Sequence, residues 1–170
     1  MAVPSADMAP ILLAHDAVMR VVSPAGERTV PLREFFVAPR ETVLDAADVV
    51  VAIDVPAPAA GTGDASLRQG GRVSLSLPMA AAAAVVVMNG TTCREATVAL
   101  GAVAPTPILA SDAGMAMAGK ELSDDVLREA GDLAAAAAKP IDDLRATKDY
   151  RLELVKVLTR RVVRAAADRA

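Results

Sequence analysis

Apolar and polar positions along this 170-residue chain change period several times, and each change marks an element. Asp7 precedes a short apolar stretch through Ala14 and is placed to cap it as a helix. Pro10 is tolerated in the first turn, where its missing N–H costs little. Val18–Ser23 and Arg28–Leu32 are β-prone segments separated by Pro24-Ala25-Gly26-Glu27, which predicts a hairpin. Phe35 and Phe36 then anchor a single turn under it. Asp48–Val55 is dominated by valine and isoleucine between an acidic start and Pro56, the pattern of a buried strand. Pro56–Asp64 has the composition of a linker, and the domain boundary is placed there.

Beyond it, Ala65–Gln69, Ser74–Met88 and Glu95–Val103 predict an antiparallel meander, with Asn89-Gly90 starting the second connection. The middle segment is ambiguous: Ala80–Ala84 favours helix on intrinsic propensity, whereas Val85–Val87 and the following Asn-Gly favour strand. Ser123, Asp124 and Asp125 form an N-cap and acidic first turn for a helix whose face is Val126, Leu127, Ala130, Leu133, Ala134 and Ala137. Lys139 complements the dipole at its C-terminal end, and Pro140 stops it. Asp142 and Asp143 put carboxylates where a new turn begins. Tyr150 and Arg151 then open a long amphipathic run, which they are expected to dock. Leu152, Val155, Leu158, Val162 and Ala166 share its stripe; Arg151, Arg160, Arg161 and Arg164 lie largely elsewhere and are expected in solvent.

Composition sharpens this picture. The chain is 54% hydrophobic but has no Trp, one Tyr and two Phe, so its core must be built from small and β-branched side chains at close backbone approach. A net charge of -3 argues against a nucleic-acid partner. With Cys93 as the only cysteine, an internal disulfide and a multi-cysteine metal site are excluded, and a reducing cytoplasm fits best. The N-terminus lacks a basic segment leading into an apolar core. The longest apolar run, Leu77–Met88, is broken by Pro78 and too short to span a bilayer, so a soluble protein without a membrane partner is expected.

Local chemistry is sparse. GTGD (Gly61–Asp64) is a fragment of a dinucleotide fingerprint without its third glycine, and linker is the better reading. His15 has no second ligand at metal spacing and is read as a partly exposed surface histidine. Cys93 is read as a loop thiol whose pKa Arg94 would lower. Asp142 and Asp143 are better caps than an acid/base pair. No Ser-His-Asp or Cys-His constellation supports an independent hydrolase, and no catalytic residue is assigned. Arg68 and Arg72 flank a Gly70-Gly71 turn of the kind that holds an anion.

Two motifs carry more information: PIDDLRATKDYR (Pro140–Arg151) and GAVAPTP (Gly101–Pro107). Together they resemble the C-terminal part of the FAD-binding medium subunit of molybdenum hydroxylases, the xanthine dehydrogenase and carbon monoxide dehydrogenase flavoprotein family. PSAD (Pro4–Asp7) resembles that family's Ser-Pro-x-x-Asp segment beside the flavin, with Val3 at the leading Ser and Ala6 at another small polar position. VPLREFFVAPRETVL (Val30–Leu44) resembles the stretch that follows. DVVVAIDVP (Asp48–Pro56) resembles the strand along the isoalloxazine, and Arg68 falls where the family usually has Lys. The resemblance thus implies Asp7, Val49, Val50 and Arg68 as cofactor neighbours, and Gln69–Leu77 as the loop bordering the flavin. It also tips Ser74–Met88 to strand.

What the resemblance implies is an α+β protein: residues 1–55 the C-terminal part of an FAD-binding subdomain, 56–64 a linker, and 65–170 a three- or four-stranded antiparallel sheet covered by helices on one face. It implies the FAD-binding component of a cytoplasmic oxidoreductase. Electrons would come from iron–sulfur clusters in a small subunit, reduced by a molybdenum cofactor in a molybdopterin-binding large subunit, and leave through FAD to NAD or another acceptor. The family's glycine-rich phosphate-cradling segments lie upstream of the PSAD-like segment and are absent from this sequence, which implies a fragment, a truncated reading frame, or a missing half supplied by another chain. The alternative is an assembly module that binds sister subunits without FAD.

Overall fold

The computed structural model describes residues 2–72 and 76–170. Along the chain, α1 (Ala9–Ala14) is followed by the hairpin β1 (Val18–Ser23) and β2 (Gly26–Pro31), then by the short turn α2 (Leu32–Phe35). The small pair β3 (Phe36–Ala38) and β4 (Glu41–Thr42) leads to β5 (Val49–Asp54). The second half contains β6 (Thr62–Gly70), β7 (Pro78–Asn89), β8 (Thr92–Gly101), β9 (Ile108–Leu109), α3 (Ser111–Met117), β10 (Lys120–Glu121), α4 (Asp124–Ala137) and α5 (Lys148–Ala167).

Two sheets organise these elements: an antiparallel three-stranded sheet in the order β2-β1-β5, and a five-stranded one in the order β10-β8-β7-β6 with β9 also on β8. The meander predicted from the sequence is therefore present, enlarged to five strands by the two-residue strands β9 and β10, whose length gives no periodic signal. The fold is α+β, as expected. The helix α3 was not foreseen, because it is only two turns long and has no side-chain cap.

The ambiguity of β7 has a physical origin. Ala80, Ala82, Ala84 and Val86 face a core shared with Leu127, Ala130, Val155, Leu158 and Val162 of the helices. Ala83 faces the other way, into a second core with Leu13, Val21, Phe35 and Ala99. A strand buried on both faces shows no alternation, and alanine is the side chain that lets layers on both sides come close. Register fixes the arrangement, with Ala83 opposite Ala99 and Ala82 opposite Leu100. Two glycines show how tight the layers are. A Cβ at Gly63 would lie 2.0 Å from the Ala166 carbonyl oxygen, and one at Gly101 would lie 2.7 Å from the Pro10 ring.

Several sequence expectations are corrected. Asp7 does not cap α1; the N-cap is Met8, with no side-chain cap bond. Thr62–Asp64, read as linker, are the first residues of β6, and Gly63 is packed under the end of α5. Residues 73–75, at the start of the predicted Ser74–Met88 strand and within the Gln69–Leu77 loop, lie outside the described residues; β7 begins at Pro78. Finally, β5 is a half-covered edge strand: Val50 packs against the second core, while Val49, Val51 and Ile53 are 59%, 53% and 44% exposed. Its sequence is apolar on both faces, but only the Val50 side meets the second core. By contrast, Ser123 caps α4 as predicted, accepting from the Val126 N–H.

Enlarging Ala83 has no room to relax into. Ala83→Leu is expected to lower unfolding free energy by about 1–3 kcal/mol, measured by urea denaturation.

Candidate functional site

The segment before α1 turns back on itself, the Ala6 N–H donating to the Val3 carbonyl, and presents Asp7 outward. There it meets Arg68 from β6: Asp7 Oδ1 lies 3.6 Å from Arg68 Nη1, with the two side chains 56% and 38% exposed. The same Nη1 donates to the Ser76 carbonyl at 2.7 Å, so the guanidinium is held across the Gly70-Gly71 turn. Ser76 Oγ in turn donates to the Arg72 carbonyl at 3.1 Å. Two residues 61 positions apart, each singled out from sequence, thus form one acidic–basic pair on open surface. Val49 and Val50 lie on β5 in the other sheet and point to opposite faces, so a single flat ligand cannot rest on both side chains.

A second constellation was only partly legible. Arg151, expected in solvent with the other arginines of α5, is 3% exposed. Its Nη1 donates to the Met79 carbonyl at 2.5 Å and to the Ala102 carbonyl at 3.2 Å, and Nη2 lies 2.7 Å from Asp143 Oδ1. The reason is position: at the first turn of α5, a long side chain reaches the ends of β7 and β8. The expectation that Arg151 docks the helix therefore holds, while its partner Tyr150 is half exposed. Asp142 does act as a cap, accepting from the Lys148 N–H at 2.6 Å beside the Thr147 N-cap. Asp143 accepts instead from the Arg145 and Ala146 N–H groups and pairs with the Arg145 and Arg151 side chains. The Arg145 N–H, the Arg151 guanidinium and the Ala146 N–H hold its carboxyl below the usual carboxylate range.

Around this ion pair the motif segments converge. The Ala102 N–H donates to the Pro4 carbonyl and the Lys139 N–H to the Val103 carbonyl, each at 2.8 Å. Ala102 sits at φ +62°, a left-handed conformation that costs a non-glycine residue about 1–2 kcal/mol and persists because these contacts fix it.

His15 ties the units together, its Nε2 lying 3.0 Å from Asp64 Oδ2. Cys93 is fully buried in β8, and burial pushes its thiol up, against the lowering expected from Arg94. Among the described residues there is no cluster of three or more His, Cys, Asp or Glu that could hold a metal, and no helix long and apolar enough to cross a membrane.

The fold is a helix-backed antiparallel sheet joined to a second, smaller β-unit, with the Asp7–Arg68 pair on its surface. Residues 65–166 match the CO dehydrogenase flavoprotein C-terminal domain, and residues 1–58 match the FAD binding domain in molybdopterin dehydrogenase. The chain belongs to the CO dehydrogenase flavoprotein family. It is 32% identical to the carbon monoxide dehydrogenase medium chain of Afipia carboxidovorans over 98% of its own length and 58% of that protein's. To the xanthine dehydrogenase FAD-binding subunit of Escherichia coli it is 28% identical over 98% of its length and 57% of that subunit's. Among solved structures, the cyanide-inactivated Cu,Mo-CO dehydrogenase superposes with a TM-score of 0.95 at 32% identity, covering 99% of this chain and 59% of that one. Quinoline 2-oxidoreductase from Pseudomonas putida superposes with a TM-score of 0.91 at 30% identity, covering 98% and 57%. The chain therefore spans less than three fifths of these relatives.

Because the folded state holds Asp143 more acidic than the unfolded chain does, its contribution to stability is complete above the ordinary carboxylate pKa of about 4 and fades as pH falls through the lower folded value. Asp143→Asn is expected to destabilise at neutral pH and to flatten the acid limb of stability against pH, measured by denaturation at a series of pH values.

Proposed function

We propose that this chain supplies the flavin-bordering part and C-terminal domain of the FAD-carrying medium subunit of a molybdenum-containing hydroxylase or dehydrogenase. The observation that carries this reading is the pairing of Asp7, in the segment before α1, with Arg68 on the edge strand β6. Arg68 offers a fixed cation with several N–H donors and Asp7 a carboxylate acceptor, a donor set suited to the polar pyrimidine edge of an isoalloxazine. Val49, exposed on β5, and the backbone around Val50 offer apolar contact. FAD, when bound, supplies the redox chemistry. These residues would bind and orient it, and no proton transfer or nucleophilic step is assigned to them.

The proposed division is a partial FAD-binding subdomain over residues 1–55, a connection that starts at 56 and ends where β6 begins at Thr62, and a C-terminal domain from there to 170. The two family matches, ending at 58 and starting at 65, support it. The proposed partners are a molybdopterin-binding large subunit and an iron–sulfur small subunit, in the cytoplasm, with the phosphate-cradling part of the FAD-binding domain joined to these residues either on the same polypeptide or on another. In that assembly electrons pass from the iron–sulfur clusters through FAD to NAD or another acceptor. A second reading, an assembly module without flavin, is favoured by the exposed apolar face of β5, which suits protein packing as well as it suits a cofactor.

Flavin absorbance of purified protein separates the readings. This chain alone is expected to carry FAD far below one equivalent, and its complex with a polypeptide bearing the glycine-rich loops close to one equivalent. A stoichiometrically yellow chain on its own would contradict the partial site. A colourless complex would leave the assembly module standing.

A further inference from the structure

A cleft of about 350 Å³ opens where the PSAD segment, the Gly101–Pro107 turn and the Pro140 junction meet. Neither Asp7 nor Arg68 lines it, and the flavin reading makes no use of it. Pro4, Pro39, Pro78, Pro105 and Pro140 form much of its wall. Prolines fix φ and offer no N–H, so the wall is rigid and apolar, and little ordering is needed when something binds. Ile141 stands at the rim with 71% of its surface uncovered.

The charge of the cleft runs against that of the molecule. Lys139, Arg145 and Arg151 line it with Asp143 as the only carboxylate, three positive groups to one negative, in a chain whose net charge is -3. Asp143 is already shared by both arginines and two backbone N–H groups. Arg151, though buried, keeps its Nε without a partner. The Lys139 side chain makes no ion pair or hydrogen bond among the described residues, and Asp142, the nearest further carboxylate in sequence, is engaged with the Lys148 N–H and does not line the cleft. A surplus of positive charge beside apolar walls favours an anion. The Ala102 and Lys139 N–H groups are already committed to the Pro4 and Val103 carbonyls, so the positive side chains are the groups left to face an anion.

We propose that this cleft binds a carboxylate attached to an apolar body, the aliphatic part lying on the prolines and Ile141 and the carboxylate facing Lys139 and Arg145. A free short-chain acid and the C-terminus of an apolar polypeptide share that chemistry. The test is an NMR titration of the full chain, following the backbone amides of Ile141 and Ala104. The probes are sodium hexanoate, 1-hexanol and the peptide acetyl-Leu-Val-Ala-Leu-Val with a free carboxylate. Hexanoate is expected to bind about tenfold more tightly than 1-hexanol, the difference made by one charge-assisted contact. Lys139→Ala should erase that preference, whereas Ile141→Ser should weaken both probes. Both positions are outside the cores, so the fold is retained. Tighter binding of the peptide than of hexanoate identifies a polypeptide terminus as the source; hexanoate binding alone identifies a free acid. If neither carboxylate shifts these amides, if 1-hexanol binds as well as hexanoate, or if Lys139→Ala changes nothing, the proposal is overturned.

Discussion

The two-sided burial of β7 is the constraint on which the rest of this structure depends. Its alternate residues enter two different cores, one under the helices and one under α1 and the β1–β2 hairpin. Only small side chains satisfy both at once, which is why a run of alanines, a helix former in isolation, is held as a strand. The same constraint explains the shortage of aromatic residues and the glycines at points of contact between layers. Cohesion comes from many close approaches in place of a few large anchors.

Arg151 completes the arrangement. The guanidinium joins the start of β7, the residue that follows β8 and the junction before α5. Desolvating it is costly, and the carbonyls and Asp143 offset that cost. The contact also fixes the backbone of Ala102 and thereby positions the PSAD segment, whose Pro4 carbonyl receives the Ala102 N–H. Asp7, three residues further on, reaches Arg68 from a segment held in this way. A structural ion pair and a proposed cofactor edge are thus linked through a short run of backbone.

Legibility in the sequence followed periodicity and length. The hairpin, the capped helix α4 and the α5 stripe were readable because each spans enough residues to show its period or its cap, whereas the middle strand of the meander was read as strand only through the family resemblance. Strands of two residues and the seven-residue α3 show neither. The burial of Arg151 was hidden because a helical wheel reports which side a residue faces, not what lies beyond the first turn. The exposure of β5 was hidden because Val49, Val51 and Ile53 are as apolar as residues of a two-sided core. For the site, Asp7 and Arg68 were found through resemblance to a family. Their pairing adds a geometric fact, whereas Val49 and Val50, adjacent on a strand, face opposite ways.

The functional account rests on the pair beside the proposed flavin edge more than on any feature of the C-terminal domain. A positive charge held against the pyrimidine side of the ring would stabilise the extra negative charge of the reduced form. The most direct measurement is the flavin midpoint potential of the assembled, FAD-bearing complex with Arg68 and with Arg68→Met. The account predicts a more negative potential and weaker FAD retention once the guanidinium is gone. An unchanged potential with full retention would contradict it.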